Sequence, residues 1–231
     1  MIELAVVDLA GTTVRDDGAV EGAFADALRT VEAAGPEGLD DEALRHVRAT
    51  MGMSKIVVFR ELLRDEHRAQ AANEEFEAAY AGRIESGEVS PLPGAEEALR
   101  QLREKGIRIS FTTGFSAETR DLLLEALGWT ELADLALSPD ATLRGRPAPD
   151  LVLASVIRLR IDDVRSVAVA GDTANDLLSG SRAGASVVAG VLTGAHDAAQ
   201  LGAAPHTHLL DSIADFPAAV LSPDRHEMMR T

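Results

Sequence analysis

Four short segments of the 231-residue chain combine carboxylate, hydroxyl and glycine residues in patterns that suit phosphoryl chemistry. In the first segment, an apolar run reaches Asp8 and continues through Ala10, Gly11 and Thr12. A carboxylate at the end of a buried strand can attack phosphorus or bind a metal ion. The alternative for this segment alone is an aspartate that caps a turn.

The second and third segments offer groups that bind anions. The second ends an apolar run with Thr113 and Gly114, and a helix is predicted to begin near Ser116. The Thr113 hydroxyl and the Gly114 amide suit phosphoryl oxygens, although a helix N-cap explains the same residues. In the third, two prolines fix the loop around Arg146. Arg146 would neutralise phosphate and nucleophile charge, and the alternative is a solvated surface arginine.

The fourth segment is the most specific. Asp172 and Asp176 lie four residues apart directly after an apolar run, and Gly171 and Gly180 allow close approach of the backbone. Two carboxylates held together at a strand end form an anionic pocket that requires a cation, and Mg²⁺ prefers such oxygen ligands.

These segments must be positioned by an α/β fold. Apolar strands alternate with helical stretches in the C-terminal two thirds, which predicts a Rossmann-like parallel sheet with helices on both faces. Such sheets bind ligands beyond the carboxyl ends of their strands. The predicted strands are Leu4–Val7, Ile107–Thr112, Leu135–Leu137, Val167–Ala170, Ser186–Val191 and His208–Leu210. The predicted helices cover about 94–105, 116–127, 149–159 and 174–183.

Residues 16–89 interrupt this alternation and predict an inserted, all-α cap domain. Its predicted helices are about 19–34, 40–50, 54–66 and 70–86. Glycine and proline punctuate the segment at Gly35–Gly38, and Ser90–Gly94 marks a stiff return to the sheet. We therefore expect a core domain of residues 1–15 and 90–231, with the cap above the strand ends.

Composition narrows the function classes. The net charge of −16 argues against nucleic acid or an anionic membrane as a partner. The chain has no cysteine, which excludes disulfides, thiol nucleophiles and zinc–thiolate sites. No apolar run is long enough to span a membrane, and the N-terminus does not resemble a signal peptide, so the expected location is the cytoplasm. The tail from Ser222 is expected to be loosely ordered.

Taken in this order, the four segments make the whole chain resemble the haloacid dehalogenase superfamily. The resemblance implies a Mg²⁺-dependent hydrolase that acts on a small phosphonate or phosphate, with Asp8 becoming phosphorylated. It implies Asp8, the Ala10 carbonyl and Asp172 as metal ligands, with Asp176 and Thr12 in support. It implies a phosphoryl cradle formed by Thr113, Gly114 and Arg146. It also suggests a homodimer formed through the caps.

One difference from most phosphatases of the superfamily limits which reactions the chain is expected to catalyse. Most phosphatases of the superfamily have a second aspartate two residues after the nucleophile, where it protonates the leaving alkoxide, and this chain has Ala10 there. The cap supplies Lys55, one of only two lysines beside twenty arginines, in the segment Met51-Gly-Met-Ser-Lys55. A buried amine is partly neutral and can form an imine, which arginine cannot. The alternative is a lysine that extends from an apolar helix to solvent.

The first segment, the cap segment with Met51 and Lys55, and arginine at position 146 together resemble the phosphonoacetaldehyde hydrolases, or phosphonatases. That resemblance implies a Schiff base on Lys55 and cleavage of a C–P bond. Val58 and Phe115 depart from the pattern, which has a histidine and an aromatic hydroxyl at these positions, so a related 2-oxoalkylphosphonate is an equal candidate. The rivals are a phosphate-monoester phosphatase and a non-catalytic protein that binds a phosphorylated metabolite.

Overall fold

A computed structural model describes residues 1–31 and 41–221, except for the side chain of Asp41. The predicted turn at Gly35–Gly38, the adjoining ends of the first two predicted cap helices and the tail from Ser222 lie outside the described residues. Among the residues described, no helix has the length and apolar character needed to cross a membrane.

The strands form two sheets. The strands are β1 (Leu4–Asp8), β2 (Val14–Arg15), β3 (Ser90–Pro91), β4 (Arg108–Thr112), β5 (Leu135–Leu137), β6 (Val167–Gly171), β7 (Val187–Val191) and β8 (His208–Leu210). Six of them form a parallel sheet in the order β5-β4-β1-β6-β7-β8. The chain leaves β1 toward β4 on one side and returns to β6 on the other, so the strand order reverses at β1. A crevice at such a reversal is where open α/β sheets bind ligands.

The helices fall into two groups along the chain. Among the described residues, four precede the return to the sheet: α1 (Ala19–Thr30), α2 (Asp41–Ala49), α3 (Lys55–Leu63) and α4 (Glu66–Glu85). Six follow it: α5 (Ala95–Glu104), α6 (Ala117–Ala126), α7 (Asp150–Arg158), α8 (Ala174–Ala183), α9 (Ala198–Gly202) and α10 (Phe216–Leu221). Short 3₁₀ turns lie at Val164–Ser166 and Ile213–Asp215.

Helices cover both faces of the sheet, as predicted. Successive side chains of a strand point to opposite faces. In β1, Leu4 and Val6 pack in a cluster with α7, whereas Ala5 and Val7 belong to the main core with α5 and α10. All five residues of β1 are buried, because this central strand has a neighbour on each side and a helical layer on each face. Its carboxyl end is therefore held rigidly.

The helices α1–α4, called the cap here, lie within the segment that was predicted to be an inserted all-α domain. Helix α4 packs along α1 and α3 and also contacts α6 below it. The ring of Phe24 lies 4.9 Å from that of Phe59 and 4.8 Å from that of Phe76, measured between centroids. This aromatic cluster gives helices α1, α3 and α4 a common apolar centre, because aromatic pairs contribute about 0.5–1.5 kcal/mol beyond the burial of their area.

Two features of this region were not predicted. The linkers that connect the cap to the core pair as the antiparallel ribbon β2–β3, with Val14 opposite Pro91 and Arg15 opposite Ser90. The break between the predicted helices 54–66 and 70–86 also lies earlier in the chain than expected. Arg64 adopts a left-handed conformation with φ of 51°, and the Asp65 side chain accepts the backbone N–H of Arg68, so α4 begins at Glu66. The helix boundary is therefore set by the N-cap residue Asp65, which the spacing of apolar residues did not reveal.

Candidate active site

The carboxylate of Asp8 stands at the carboxyl end of the central strand. Asp8 is the last residue of β1 and is in register with Thr112, the last residue of β4. Its side chain is only 7% exposed. A buried carboxylate is costly without a compensating partner, and its surroundings supply one.

Arg146 is that partner. Its Nη1 lies 2.5 Å from Asp8 Oδ1 and 2.7 Å from Asp176 Oδ1, and its Nη2 donates to the carbonyl oxygen of Thr112 at 2.6 Å. Burial opposes the charge of Arg146, but the carboxylates of Asp176 and Asp8 outweigh it and raise its pKa. One guanidinium therefore connects the first, second and fourth sequence segments. This geometry favours a buried functional arginine over the surface alternative.

The carboxylate of Asp172 is held between two backbone segments. Thr12 Oγ1 donates to Oδ1 at 3.1 Å, and the backbone N–H of Ala195 donates to Oδ2 at 2.8 Å. A Cβ at Gly11 would lie 2.4 Å from Oδ2, and one at Gly194 would lie 2.0 Å from it. Only glycine permits such proximity at either position. Burial, assisted by Asp8 and Asp176, raises the pKa of Asp172 well above its ordinary range.

Asp176 and its neighbour connect the core to the cap. The Asp176 carboxylate accepts the backbone N–H of Thr173 at 3.0 Å, completing a capping box at the start of α8. Burial raises the pKa of Asp176, and Arg146 opposes that shift. Asn175 Nδ2 donates to the backbone carbonyl of Met51 in the cap at 2.9 Å. Asn175, the neighbour of Asp176, therefore joins the core to the predicted supporting residue Met51.

Lys55, the first residue of α3, points into an aromatic pocket. Its side chain is buried, and Nζ lies 5.2 Å from the ring centroid of Phe115, 5.6 Å from that of Phe24 and 5.7 Å from that of Phe76. No hydrogen bond or ion pair joins Nζ to any of the described residues. This placement contradicts a lysine that extends to solvent from an apolar helix.

Burial lowers the pKa of the Lys55 amine. The negative charges of Asp16, Asp8 and Glu77 act in the opposite direction but are too far away to pair with it. Since the neutral amine is the nucleophilic form, the pocket favours the form that attacks a carbonyl carbon.

Lys55 and Asp8 share one cavity. The cavity has a volume of about 400 Å³ and opens between the cap and the strand ends. It joins most of the predicted site residues, namely Asp8, Ala10, Met51, Lys55, Thr113, Gly114 and Asp172, and Phe115 also lines it. Thr12, Arg146 and Asp176 lie behind this surface, where they contact its carboxylates.

Gly114 brings the cap into close contact with the second segment. A Cβ at this residue would lie 2.3 Å from the carbonyl oxygen of Met53. Thr113 Oγ1 accepts the backbone N–H of Phe115 at 3.2 Å, so the start of this loop is held in place. A phosphoryl group at the Thr113 hydroxyl would therefore sit directly under the cap.

The charges of the site fit a divalent cation. Asp8, Asp172 and Asp176 are buried together against the single charge of Arg146, which leaves negative charge uncompensated if all three are ionised. The part of the chain described here has no group of three or more His, Cys, Asp or Glu side chains arranged to hold a metal ion. The implied set, two carboxylates and the Ala10 carbonyl, leaves positions for water, which Mg²⁺ usually retains.

Two groups of cavity residues were missed by the sequence reasoning. Thr193, Gly194 and Ala195 follow β7, and Thr193 Oγ1 donates to the Gly11 carbonyl at 2.8 Å. A glycine three residues after the end of a predicted core strand was a usable signal, because the loops beyond such strands form the site. Asp16, in the first linker, also lines the cavity. Its position there depends on how the cap folds back over the sheet, which no local sequence pattern indicates.

Comparison with known proteins agrees with this geometry. A family model described as haloacid dehalogenase-like hydrolase matches residues 2–184. The chain belongs to the haloacid dehalogenase-like hydrolase family. It is therefore a hydrolase, and the predicted fold class, family and enzyme class are confirmed.

Within this family, the chain is similar both to proteins named phosphonoacetaldehyde hydrolase and to a protein named as a probable phosphatase. It is 33% identical over 215 residues to a phosphonoacetaldehyde hydrolase of Bacillus cereus, covering 85% of this chain and 78% of that protein. It is 29% identical over 223 residues to a probable phosphatase, IndB, of Dickeya dadantii, covering 95% and 94%. A solved phosphonoacetaldehyde hydrolase-like protein from Oleispira antarctica superposes with a TM-score of 0.79 at 20% identity, covering 95% and 91%.

Proposed function

We propose that this hydrolase cleaves the C–P bond of phosphonoacetaldehyde or of a related 2-oxoalkylphosphonate. The observation that carries the proposal is that the buried Lys55 amine and the Asp8 carboxylate line one small cavity. The similarity to phosphonoacetaldehyde hydrolases supports the same reaction.

The proposed chemistry divides between the two residues. Lys55 condenses with the substrate carbonyl and releases water, giving a protonated imine. Asp8 attacks phosphorus, and the C–P electron pair moves into the imine to form an enamine. Protonation of the enamine carbon and addition of water return Lys55 and the product carbonyl, while a second water hydrolyses the aspartyl phosphate.

This route explains why Ala10 is tolerated. An alkoxide leaving from a phosphate ester needs a proton, and general acid catalysis typically contributes about 10²–10⁴-fold. A carbon that leaves as an enamine has the protonated imine as its electron acceptor, so no acid is needed at position 10.

The remaining residues bind and orient the phosphoryl group. Thr113 and Gly114 would hold its oxygens at the strand end, and Arg146 would hold the Asp8 carboxylate in place. Asp8, the Ala10 carbonyl and Asp172 would hold Mg²⁺, supported by Thr12 and Asp176, and this ion would neutralise phosphoryl charge. Met51 would help to close the cap over the substrate.

A phosphate-monoester phosphatase is the second candidate. It is favoured by the similarity to a protein named as a probable phosphatase, which spans nearly the whole of both chains. This function would need a proton donor other than residue 10 and would give Lys55 no covalent role.

The deciding experiment traps the imine. The protein would be treated with borohydride in the presence of phosphonoacetaldehyde or 2-oxopropylphosphonate, and the Lys55 peptide analysed by mass spectrometry. We expect a reduced adduct on Lys55, none on Lys105, and loss of phosphate release in Lys55→Arg but not in Lys105→Arg. No adduct, together with undiminished phosphate release in Lys55→Arg, would rule out the imine reaction.

The same assay separates an enzyme from a binding protein. Phosphate release that requires Mg²⁺ and disappears in Asp8→Ala identifies turnover through Asp8. Binding of a phosphonate without phosphate release from the wild-type protein would instead identify the non-catalytic alternative.

A further inference from the structure

The proposed imine reaction needs a group that exchanges protons near Lys55. Forming an imine removes a proton from the ammonium and delivers one to the departing oxygen. Neither residue where a proton-transfer group would be expected can provide it, since position 10 is alanine and Val58 is an apolar residue on the Lys55 helix. The cavity wall must supply the group.

Most acids around Lys55 are already engaged. Asp8 pairs with Arg146, Asp172 accepts two hydrogen bonds, and Glu21 is held by Arg48 at 2.9 Å. Glu77 acts on the charge of Lys55, but its carboxylate accepts hydrogen bonds from the Ser116 and Thr119 hydroxyls. Asp17 lies 3.8 Å from Arg15, with a side chain 70% exposed.

Asp16 differs from these acids. It lines the cavity with Lys55, is partly buried, and forms no ion pair with any described side chain. The backbone N–H of Val20 donates to its Oδ1 at 3.0 Å. This contact and a second one from the backbone N–H of Gly18 fix the carboxylate at the start of α1, where the chain enters the cap.

The charges that face Asp16 come from several elements. Burial raises the pKa of Asp16, while Lys55 on α3 lowers it and Glu21 on α1 raises it. Tyr80 on α4 is also close enough for Asp16 to raise the pKa of its hydroxyl. Among the carboxylates that oppose the lowered pKa of Lys55, Asp16 has the largest effect. The raised pKa of Asp16 and the lowered pKa of Lys55 therefore bring the proton affinities of these two groups closer together.

We propose that Asp16 is the proton-transfer residue of the Lys55 site. The assignment rests on the proposed imine function. It follows from the shared cavity, the fixed and unpaired carboxylate, and the engagement of the neighbouring acids.

The proton balance is complete within this pair. The Asp16 carboxylate takes a proton from the Lys55 ammonium through one water molecule in the cavity, and the neutral amine adds to the substrate carbonyl. After the proton on nitrogen moves to oxygen, the intermediate is a neutral carbinolamine. Asp16 returns its proton to the carbinolamine hydroxyl, which leaves as water. The products are the protonated imine and the Asp16 carboxylate.

The test compares Asp16→Asn with Asp17→Asn. The side-chain amide oxygen in Asp16→Asn can accept the same backbone N–H of Val20, so this contact survives. Both variants would be mixed with 2-oxopropylphosphonate and cyanoborohydride, and the rate of adduct formation on Lys55 followed by mass spectrometry. We expect Asp16→Asn to slow adduct formation by about 10²-fold or more, the usual size of a general acid–base effect. Asp17→Asn should react at the wild-type rate.

A second variant separates proton transfer from a structural role. In Asp16→Ala, added formate should restore adduct formation in proportion to its concentration, because a small acid can enter the vacated space. Wild-type rates in Asp16→Asn, or slow Asp16→Ala without rescue, would overturn the Asp16 assignment alone. Absence of an adduct in the wild-type protein would overturn the imine function and this assignment with it.

Discussion

The two walls of the cavity bury charge in opposite ways. On the core wall, Asp8 and Asp176 share the guanidinium of Arg146 at 2.5 and 2.7 Å. On the cap wall, Lys55 is surrounded by three aromatic rings and has no ion pair among the described residues. One wall pairs two of its carboxylates with a cation, and the other leaves a single amine without an ion pair.

The difference relates each wall to its proposed task. The ion pair with Arg146 offsets the cost of burying the carboxylate of Asp8, the group that attacks phosphorus in the proposed reaction. An unpaired amine tends to lose its proton, which makes Lys55 a nucleophile. The core wall is therefore expected to depend on its ion pairs for stability, whereas the cap wall should be more stable without its charge.

The largest effect on stability is expected when the cation of the core wall is removed. Arg146→Met leaves Asp8 and Asp176 buried without their cation, and removing one partner of a buried pair typically costs about 3–5 kcal/mol. Urea unfolding would measure the change in the free energy of unfolding. Arg144→Met is the matched control. Arg144 lies in the same loop and forms an ion pair with Asp150, but its side chain is 76% exposed. An exposed pair contributes about 0–1 kcal/mol, so equal losses in the two variants would contradict the comparison.

An intermediate effect is expected from magnesium. If the core wall holds Mg²⁺, a concentration 100 times the Kd should stabilise the folded protein by about 2.7 kcal/mol. Thermal unfolding with and without MgCl₂ would measure this gain. Asp172→Asn should abolish the magnesium-dependent part, whereas Lys55→Met should retain it. A shift that persists in Asp172→Asn would assign the ion to another site.

The smallest expected effect removes the charge of the cap wall. Lys55→Met should stabilise the protein by about 0.5–2 kcal/mol near pH 7, the usual size of one stabilising substitution, because it removes a charge that burial disfavours. The folded-state pKa of Lys55 is lowered, so the unfolded chain binds more protons between that value and about 10.4. Wild-type stability should therefore rise with pH across this window because of Lys55, and Lys55→Met should lack that contribution.

Lys105 supplies the control for this measurement. It is exposed at the end of α5, and it is the other lysine of the chain. Lys105→Met should keep the wild-type pH dependence of the free energy of unfolding. If the two lysine variants behave alike, burial does not distinguish Lys55.

The core of the fold was accessible from the sequence. Each predicted sheet strand occurs within one residue of its predicted bounds, because buried parallel strands are short apolar runs ended by glycine or polar residues. The carboxyl ends of such strands meet at one edge, so Asp8, Thr113 and Asp172 could be brought together by topology alone. The short helices α9 and α10 were missed, and the ribbon β2–β3 pairs residues so far apart that no local pattern reports it.

By itself, the sequence determined the strand-end chemistry and the identity of the unusual residues, Ala10 and Lys55. Those features are local, since each depends on residue type and on spacing within one segment. Only the tertiary structure decided which groups are paired and which are not. Arg146 bridges to Asp8 across 138 residues, and Asp16 enters the Lys55 pocket because the cap folds back over the sheet. Burial and distance set the proton affinity of a side chain, and both arise from segments far apart in the chain.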